Sequence, residues 1–255
     1  MVLAMRIAAK PNVRLVCAAL LGVVLLAGCG QDPVSPGDQT TQAYFDGIAT
    51  QTVTSLRSAL ALAAPGSPAA AYATYLQASS QAASDGGHPV SQRAQVADRT
   101  PQGYRFCQAS GSAKTCFDYT RITRTDGKVA SFTVNGKPIG DRLAVGSAAP
   151  VTFRGLDAHA TFLAAYETTA SDNLLVAVRI SSGPSVRLGA VEASYRSGQG
   201  GPVPSAQAFG PDTLGAGSSA NYLFAFPKAP LGGRLVVTTA DAASGTRGVV
   251  TLAVR

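Results

Sequence analysis

The chain has 255 residues, carries a formal charge of +7 at pH 7 and contains no tryptophan. Its length leaves room for two small domains of about 100 to 150 residues each. Lysine and arginine are scattered singly, without the basic stripe and stacking aromatics of nucleic-acid recognition, so nucleic acid is excluded as an expected partner.

The first element is an N-terminal leader. Arg6, Lys10 and Arg14 form a cationic stretch, and Leu15 to Gly28 form an apolar run of fourteen residues. That run is shorter than the roughly twenty residues that span a bilayer, which favours a signal peptide over a transmembrane helix. It closes on Leu26-Ala27-Gly28-Cys29 and switches at once to polar Gln31-Asp32-Pro33. This pattern resembles the lipobox of bacterial lipoproteins, which implies cleavage after residue 28, acylation of Cys29 and attachment to the extracytoplasmic face of the cell membrane; the alternative is a plain secretory signal cleaved elsewhere. Two or three acyl chains hold a protein stably, whereas one chain is marginal. The leader removes three of the 21 basic residues and none of the 14 acidic ones, leaving a mild +4. That bias suits a solvated surface, or attraction to anionic envelope polymers or lipid headgroups. Abundant alanine and glycine with only Glu167 and Glu192 as glutamates is the codon bias of a high-GC genome and points to an actinobacterial source.

Residues 29–40, with Pro33, Pro36 and Gly37 among polar residues, read as a flexible tether. From Thr41 the spacing of Phe45, Ile48, Thr52, Leu56 and Leu60 predicts one amphipathic helix running to about Ala64. Pro65-Gly66 ends it. Ser67 and Pro68 then supply an N-cap and an N1 proline for a second helix through Tyr72, Tyr75, Leu76 and Ser79, which Gly86-Gly87 ends.

Asp126-Gly127 between two alternating runs predicts a two-residue hairpin turn with Thr125 opposite Lys128. That register sets Val134 against Tyr119, Thr133 against Thr120, Phe132 against Arg121 and Ser131 against Ile122. Cys17 leaves with the leader and Cys29 takes lipid, so Cys107 and Cys116 remain as a disulfide pair in an oxidising compartment. Placing them as direct cross-strand neighbours sets Phe106 against Phe117, Tyr104 against Tyr119 and Arg105 against Asp118. Both registers put Tyr104, Phe106, Phe117, Tyr119, Phe132 and Val134 on one face of a three-stranded antiparallel sheet, a face that must be buried. Two helices followed by a sheet that ends in the Phe117–Val134 hairpin is similar to the second half of an NTF2-like cone. The resemblance implies an α+β domain over 41–146 whose helices cover the sheet, with no counterpart here of that family's catalytic Asp/His pairs.

After Gly146-Ser147 the chain reads all-β. Runs at 151–154, 160–168, 174–181, 186–195, 220–226, 235–240 and 249–254 are separated by Gly, Pro, Ser, Asn and Asp. Val176, Val178 and Ile180 share a face, as do Tyr222, Phe224 and Phe226, and Val250, Leu252 and Val254. Seven such strands predict a β-sandwich over 147–255, and the pattern resembles the immunoglobulin-like modules of surface lipoproteins.

No motif for catalysis, metal or phosphate stands out. There is no GxSxG, no HExxH and no calcium loop, and Gly215-Ala216-Gly217 reads as a turn. His88 reads as a loop residue and His159 as an exposed strand residue; Asp126 and Asp172 read as turn acids. The two cysteines are spaced for neither a CxxC redox motif nor zinc. The one candidate pocket is the aromatic face of Tyr104, Phe106, Phe117, Tyr119 and Phe132, which is either a packed core or an apolar cavity anchored by phenols. The expectation is a lipid-anchored envelope protein with a non-catalytic binding or structural role, without cofactor or metal, whose partner is the membrane and an envelope protein or polymer. The alternative is a small-hydrophobe or lipid carrier, or an enzyme, using the N-terminal pocket.

Overall fold

The computed structural model describes residues 36–89, 95–110, 113–147, 149–198 and 200–255. The leader 1–28, Cys29 and the first part of the tether lie outside the described residues. The rest of the tether does not: α1 runs Pro36–Thr50, so residues 36–40 are helical. Proline is well suited to the first turn, where its missing N–H is no loss.

The single helix expected over 41–64 is two. α1 stops at Thr50, before Gln51 with its φ of 55°, and α2 begins afresh as Val53–Leu62 with Thr52 as N-cap, its side chain accepting from Ser55 N. The break lets the helices cross closely at Gly47, where a Cβ would come within 2.8 Å of the Ser55 carbonyl oxygen. The Ser55 hydroxyl donates to Gly47 O at 3.1 Å across the same crossing. α3, Pro68–Asp85, starts and stops where its capping residues predict: the Ser67 side chain accepts from Ala70 N, and Gly86 is the C-cap.

Five antiparallel strands follow: β1 Asp98–Thr100, β2 Gly103–Ser110, β3 Ala113–Thr125, β4 Lys128–Val134 and β5 Lys137–Pro138, in spatial order 1-2-3-4-5. The β2–β3 register is the one set by the cysteines, with Cys107 opposite Cys116 and Tyr104 opposite Tyr119; the disulfide is formed. The β3–β4 register matches at its ends, Thr125 with Lys128 and Tyr119 with Val134, but not in the middle. Ser131 pairs with Thr123 and not Ile122, and the expected Phe132–Arg121 pair is absent, because an extra residue on β3 is compensated by one on β4. Arg121, at φ 51°, absorbs the first irregularity. A second turn escaped the sequence reading: Asn135 and Gly136, at φ 51° and 77°, join β4 to β5 just as Asp126 and Gly127, at 51° and 74°, join β3 to β4.

The remaining strands are β6 Leu143–Val145, β7 Val151–Thr152, β8 Ala158–Glu167, β9 Leu174–Ser182, β10 Glu192–Arg196, β11 Val203–Pro204, β12 Gln207–Phe209, β13 Ser219–Phe226, β14 Arg234–Ala240 and β15 Arg247–Ala253. The run expected from 186 narrows to β10, and β6, β11 and β12 are additions. One sheet has order 12-13-9-8-6 with β7 also on β8; the other has order 11-10-14-15. Val176, Val178, Ile180, Tyr222, Phe224 and Phe226 of the first share one core with Tyr195, Leu235, Val237, Val250 and Leu252 of the second. The chain is thus α+β at its start and β-rich and antiparallel after it.

The six-stranded sheet is covered on both faces. A bulge in β8 between Phe162 and Ala164 reverses the side-chain alternation, so Phe162 joins the inter-sheet core while Ala164 and Tyr166 turn to the helices. Tyr166, Ala177 and Leu223 belong to the same core as Tyr44, Phe45, Tyr72 and Phe132. α3 therefore lies between two sheets, and the first core takes in Ala164, Tyr166, Ala177 and Leu223 from beyond the junction expected at 146/147. The described residues hold together as one unit.

Candidate functional site

The pairing of β2, β3 and β4 turns the aromatic face toward the helices, as alternation requires. Tyr104, Phe106, Tyr119 and Phe132 are buried and Phe117 is half-buried. What fills the space beneath them is α1. Phe45 stacks on Tyr104 at 4.7 Å between ring centres and lies 5.1 Å from Tyr119 and 5.2 Å from Phe132. Phe132 also meets Tyr44 at 5.9 Å, Tyr72 at 5.5 Å and Tyr119 at 5.7 Å, mostly edge to face, the arrangement that aromatic quadrupoles favour. Tyr44 completes the plug by donating its hydroxyl to Ala69 O at 2.9 Å.

The space left over is a cavity of about 170 Å³ to one side, lined by Phe117 and Tyr119 of β3, Tyr72, Tyr75 and Leu76 of α3, Tyr166 of β8 and Leu175 of β9, with Gln51 and residues 168–170 at its edge. Of the five residues expected to line a pocket, the structure brings Phe117 and Tyr119 to this cavity. Phe106 and Phe132 are spent on packing, and Tyr104 borders an outer depression with Asp38, Arg99 and Arg124. Tyr72, Tyr75 and Tyr166 were missed as lining residues. The spacing of Tyr72 and Tyr75 on one helical face was a usable signal, whereas Tyr166 arrives through the β8 bulge, which leaves no mark in the residue pattern.

The cavity's chemistry is phenolic and neutral. Burial pushes the Tyr72, Tyr75 and Tyr119 hydroxyls well above the ordinary tyrosine range. A hydrogen bond from Tyr72 to Tyr119 raises the donor further and partly offsets the rise of the acceptor. Tyr166 is raised by burial too, and a hydrogen bond with Thr169 offsets part of this. These groups stay protonated at neutral pH, and no carboxylate, imidazole or thiol lines the cavity. The arrangement can donate hydrogen bonds and hold apolar surface; it has no group placed to take a proton or attack a carbonyl.

The other sequence candidates lie elsewhere. His159 is exposed on β8, its ring Nδ1 3.2 Å from Thr152 Oγ1, and His88 is exposed after the C-cap of α3. Asp126 occupies the β3–β4 turn, and Asp172 is held below the usual carboxylate range by Lys137 at 3.1 Å and Arg142 at 3.4 Å. The outer face of the five-stranded sheet carries Cys107 and Cys116 beside Arg105, which grips Asp118 through Nε at 2.6 Å and Nη2 at 3.1 Å. Among the described residues no group of three or more His, Cys, Asp or Glu is arranged to hold a metal ion, and no helix is long and apolar enough to cross a membrane.

No known protein family matches the chain, and no curated protein is similar to it.

Proposed function

We propose that this is a lipid-anchored protein of the bacterial cell envelope, held at the membrane through Cys29, with a non-catalytic binding or structural role. The observation that carries the non-catalytic part is the plugged aromatic face. Phe45 and Tyr44 occupy the volume that a substrate would need, and the residual 170 Å³ lies below the roughly 300 Å³ at which ligand pockets begin. A carrier for a lipid-sized hydrophobe needs more room than that, and the lining offers phenols and threonine hydroxyls with no carboxylate, imidazole or thiol beside them to act as a base.

Strand order supports an immunoglobulin-like reading of the β-rich part. Lettering β8, β9, β10, β13, β14 and β15 as A, B, C, E, F and G, with β12 as D, makes one sheet A-B-E-D and the other G-F-C with β11 beside C. That agrees with the immunoglobulin order, with β6 and β7 added beside A and without a disulfide or tryptophan in the core. The order of helices before an antiparallel sheet supports the NTF2-like reading of the first part. Surface modules of this kind act through their exposed loops and faces.

The test is membrane attachment in a bacterial host fed an alkyne-bearing fatty acid. The native chain is expected in the membrane fraction and labelled, and Cys29→Ala is expected to lose the label. An unlabelled native chain, or full labelling of Cys29→Ala, would overturn the anchor.

A further inference from the structure

A larger opening than the tyrosine cavity lies where α2 and α3 meet the outer face of the six-stranded sheet. It is a groove of about 360 Å³. α3 contributes Thr74, Gln77, Ala78 and Gln81, whose spacing puts them on one helical stripe. At its bulge β8 contributes Leu163, which packs on the helix side, and the edge of Phe162, whose ring belongs to the inter-sheet core and meets the groove beside Gly146. β6 ends at the rim in Val145, a large apolar side chain left 45% exposed, followed by Gly146, which approaches the Phe162 backbone so closely that any side chain would collide.

Two guanidinium groups border this apolar floor, Arg57 from α2 and Arg179 from β9. Arg179 Nε donates to Oδ1 of the buried Asn221, which also lines the groove, at 3.3 Å. Among the described residues neither arginine has a carboxylate within ion-pair distance, although Arg99, Arg105, Arg124 and Arg142 all do. Asp85, at the end of α3, is already engaged by Gln81 Nε2 at 2.7 Å and by Asn221 N at 2.6 Å. The groove thus combines apolar surface with two uncompensated cations and no lining acid. Its volume falls in the range of small-molecule sites, and guanidinium forks match a carboxylate in shape as well as charge.

We propose that this groove binds a small amphipathic carboxylate, with the apolar body on Val53, Val145, Phe162 and Leu163 and the carboxylate between Arg57 and Arg179. The site goes beyond the anchored-module reading and does not depend on Cys29, so either can fail alone.

The test is calorimetric or NMR titration of the full chain, carrying Cys29→Ser so that no lipid is attached, with octanoate, 1-octanol and octylamine. Octanoate is expected to bind saturably at one site and more tightly than either of the others. Arg57→Gln and Arg179→Gln, both exposed positions, are each expected to weaken octanoate about tenfold or more while the melting temperature holds. Arg105→Gln, on the outer face of the five-stranded sheet, is expected to leave binding unchanged. No saturable octanoate binding, octanol binding as tightly as octanoate, or both arginine variants binding like the native chain would each overturn the proposal.

Discussion

Replacing Phe132 with alanine removes the ring around which the aromatic plug is organised. Phe132 is 1% exposed and lies within 5.2 to 5.9 Å, ring centre to ring centre, of Tyr44, Phe45, Tyr72 and Tyr119. Four partners drawn from α1, α3 and β3 cannot all move inward, so most of the vacated volume persists as a void. Phenylalanine-to-alanine substitutions in such settings cost about 3 to 5 kcal/mol. In a chain of this size each kcal/mol lowers the melting temperature by about 2 to 4 °C, so the expected fall is about 6 to 20 °C. Thermal melting measures that fall, and urea unfolding followed by circular dichroism measures the free-energy cost, with the midpoint moving and the slope constant. A second arm adds benzene, which an apolar void of this kind binds and which should restore part of the loss. A cost under about 1 kcal/mol, with no response to benzene, would mean that Phe132 borders open space and that the aromatic face is a pocket after all.

Among the described residues the buried Tyr222 hydroxyl has no hydrogen-bond partner, so Tyr222→Phe should leave stability unchanged or raise it by up to about 1 to 3 kcal/mol; a loss of more than about 1 kcal/mol in the same urea assay would reveal a partner. Burial, followed by the charges of Asp85 and Asp212, lifts that phenol to about 12, and burial lifts Tyr44, Tyr72, Tyr75 and Tyr119 as well. Because the folded state keeps protons that the unfolded chain gives up near pH 10, the stability these groups contribute is complete below about pH 10 and is lost as pH rises toward their folded values. Tyrosinate absorbance at 295 nm should therefore develop late and together with loss of the circular dichroism signal, and ionisation of all eight tyrosines near pH 10 with the fold intact would contradict this. Closing the short loop between Cys107 and Cys116 is worth about 2 to 3 kcal/mol at most, so Cys107→Ser paired with Cys116→Ser should lower the melting temperature by roughly 5 to 10 °C. An unchanged midpoint would show that the sheet holds its register without the bridge.

Much of the first sheet was legible because two independent constraints, a cysteine pair and an Asp-Gly turn, demanded the same inward face. The bulges in β3 and β8 were not, since an extra residue in a strand alters which face a side chain takes without altering the residues themselves. That is why Ala164 and Tyr166 reach the helices against simple alternation. The break between α1 and α2 hid behind a good amphipathic stripe: Phe45, Ile48 and Leu56 are all fully buried, but in two helices that cross at Gly47, and only the crossing explains the glycine. The helix cap at Ser67 shows the opposite case, where local chemistry suffices, whereas Thr52, read on the stripe of a continuous helix, is the N-cap of α2. The aromatic face was readable, with a packed core as one of its two readings; that Tyr44 and Phe45 are the residues that fill it depends on the placement of α1, which is a tertiary fact. The groove beside α3 draws on six separate segments, α2, α3, β6, β8, β9 and β13, and left no local signature at all.

The most direct test of the account is the intact mass of the protein extracted from the membranes of a bacterium that makes it. The account predicts a chain that begins at Cys29 and carries a diacylglyceryl group, with the further acyl chain where the host adds one, and with Cys107 and Cys116 oxidised. An unmodified chain beginning at another residue, or one that retains residues 1–28, would contradict it.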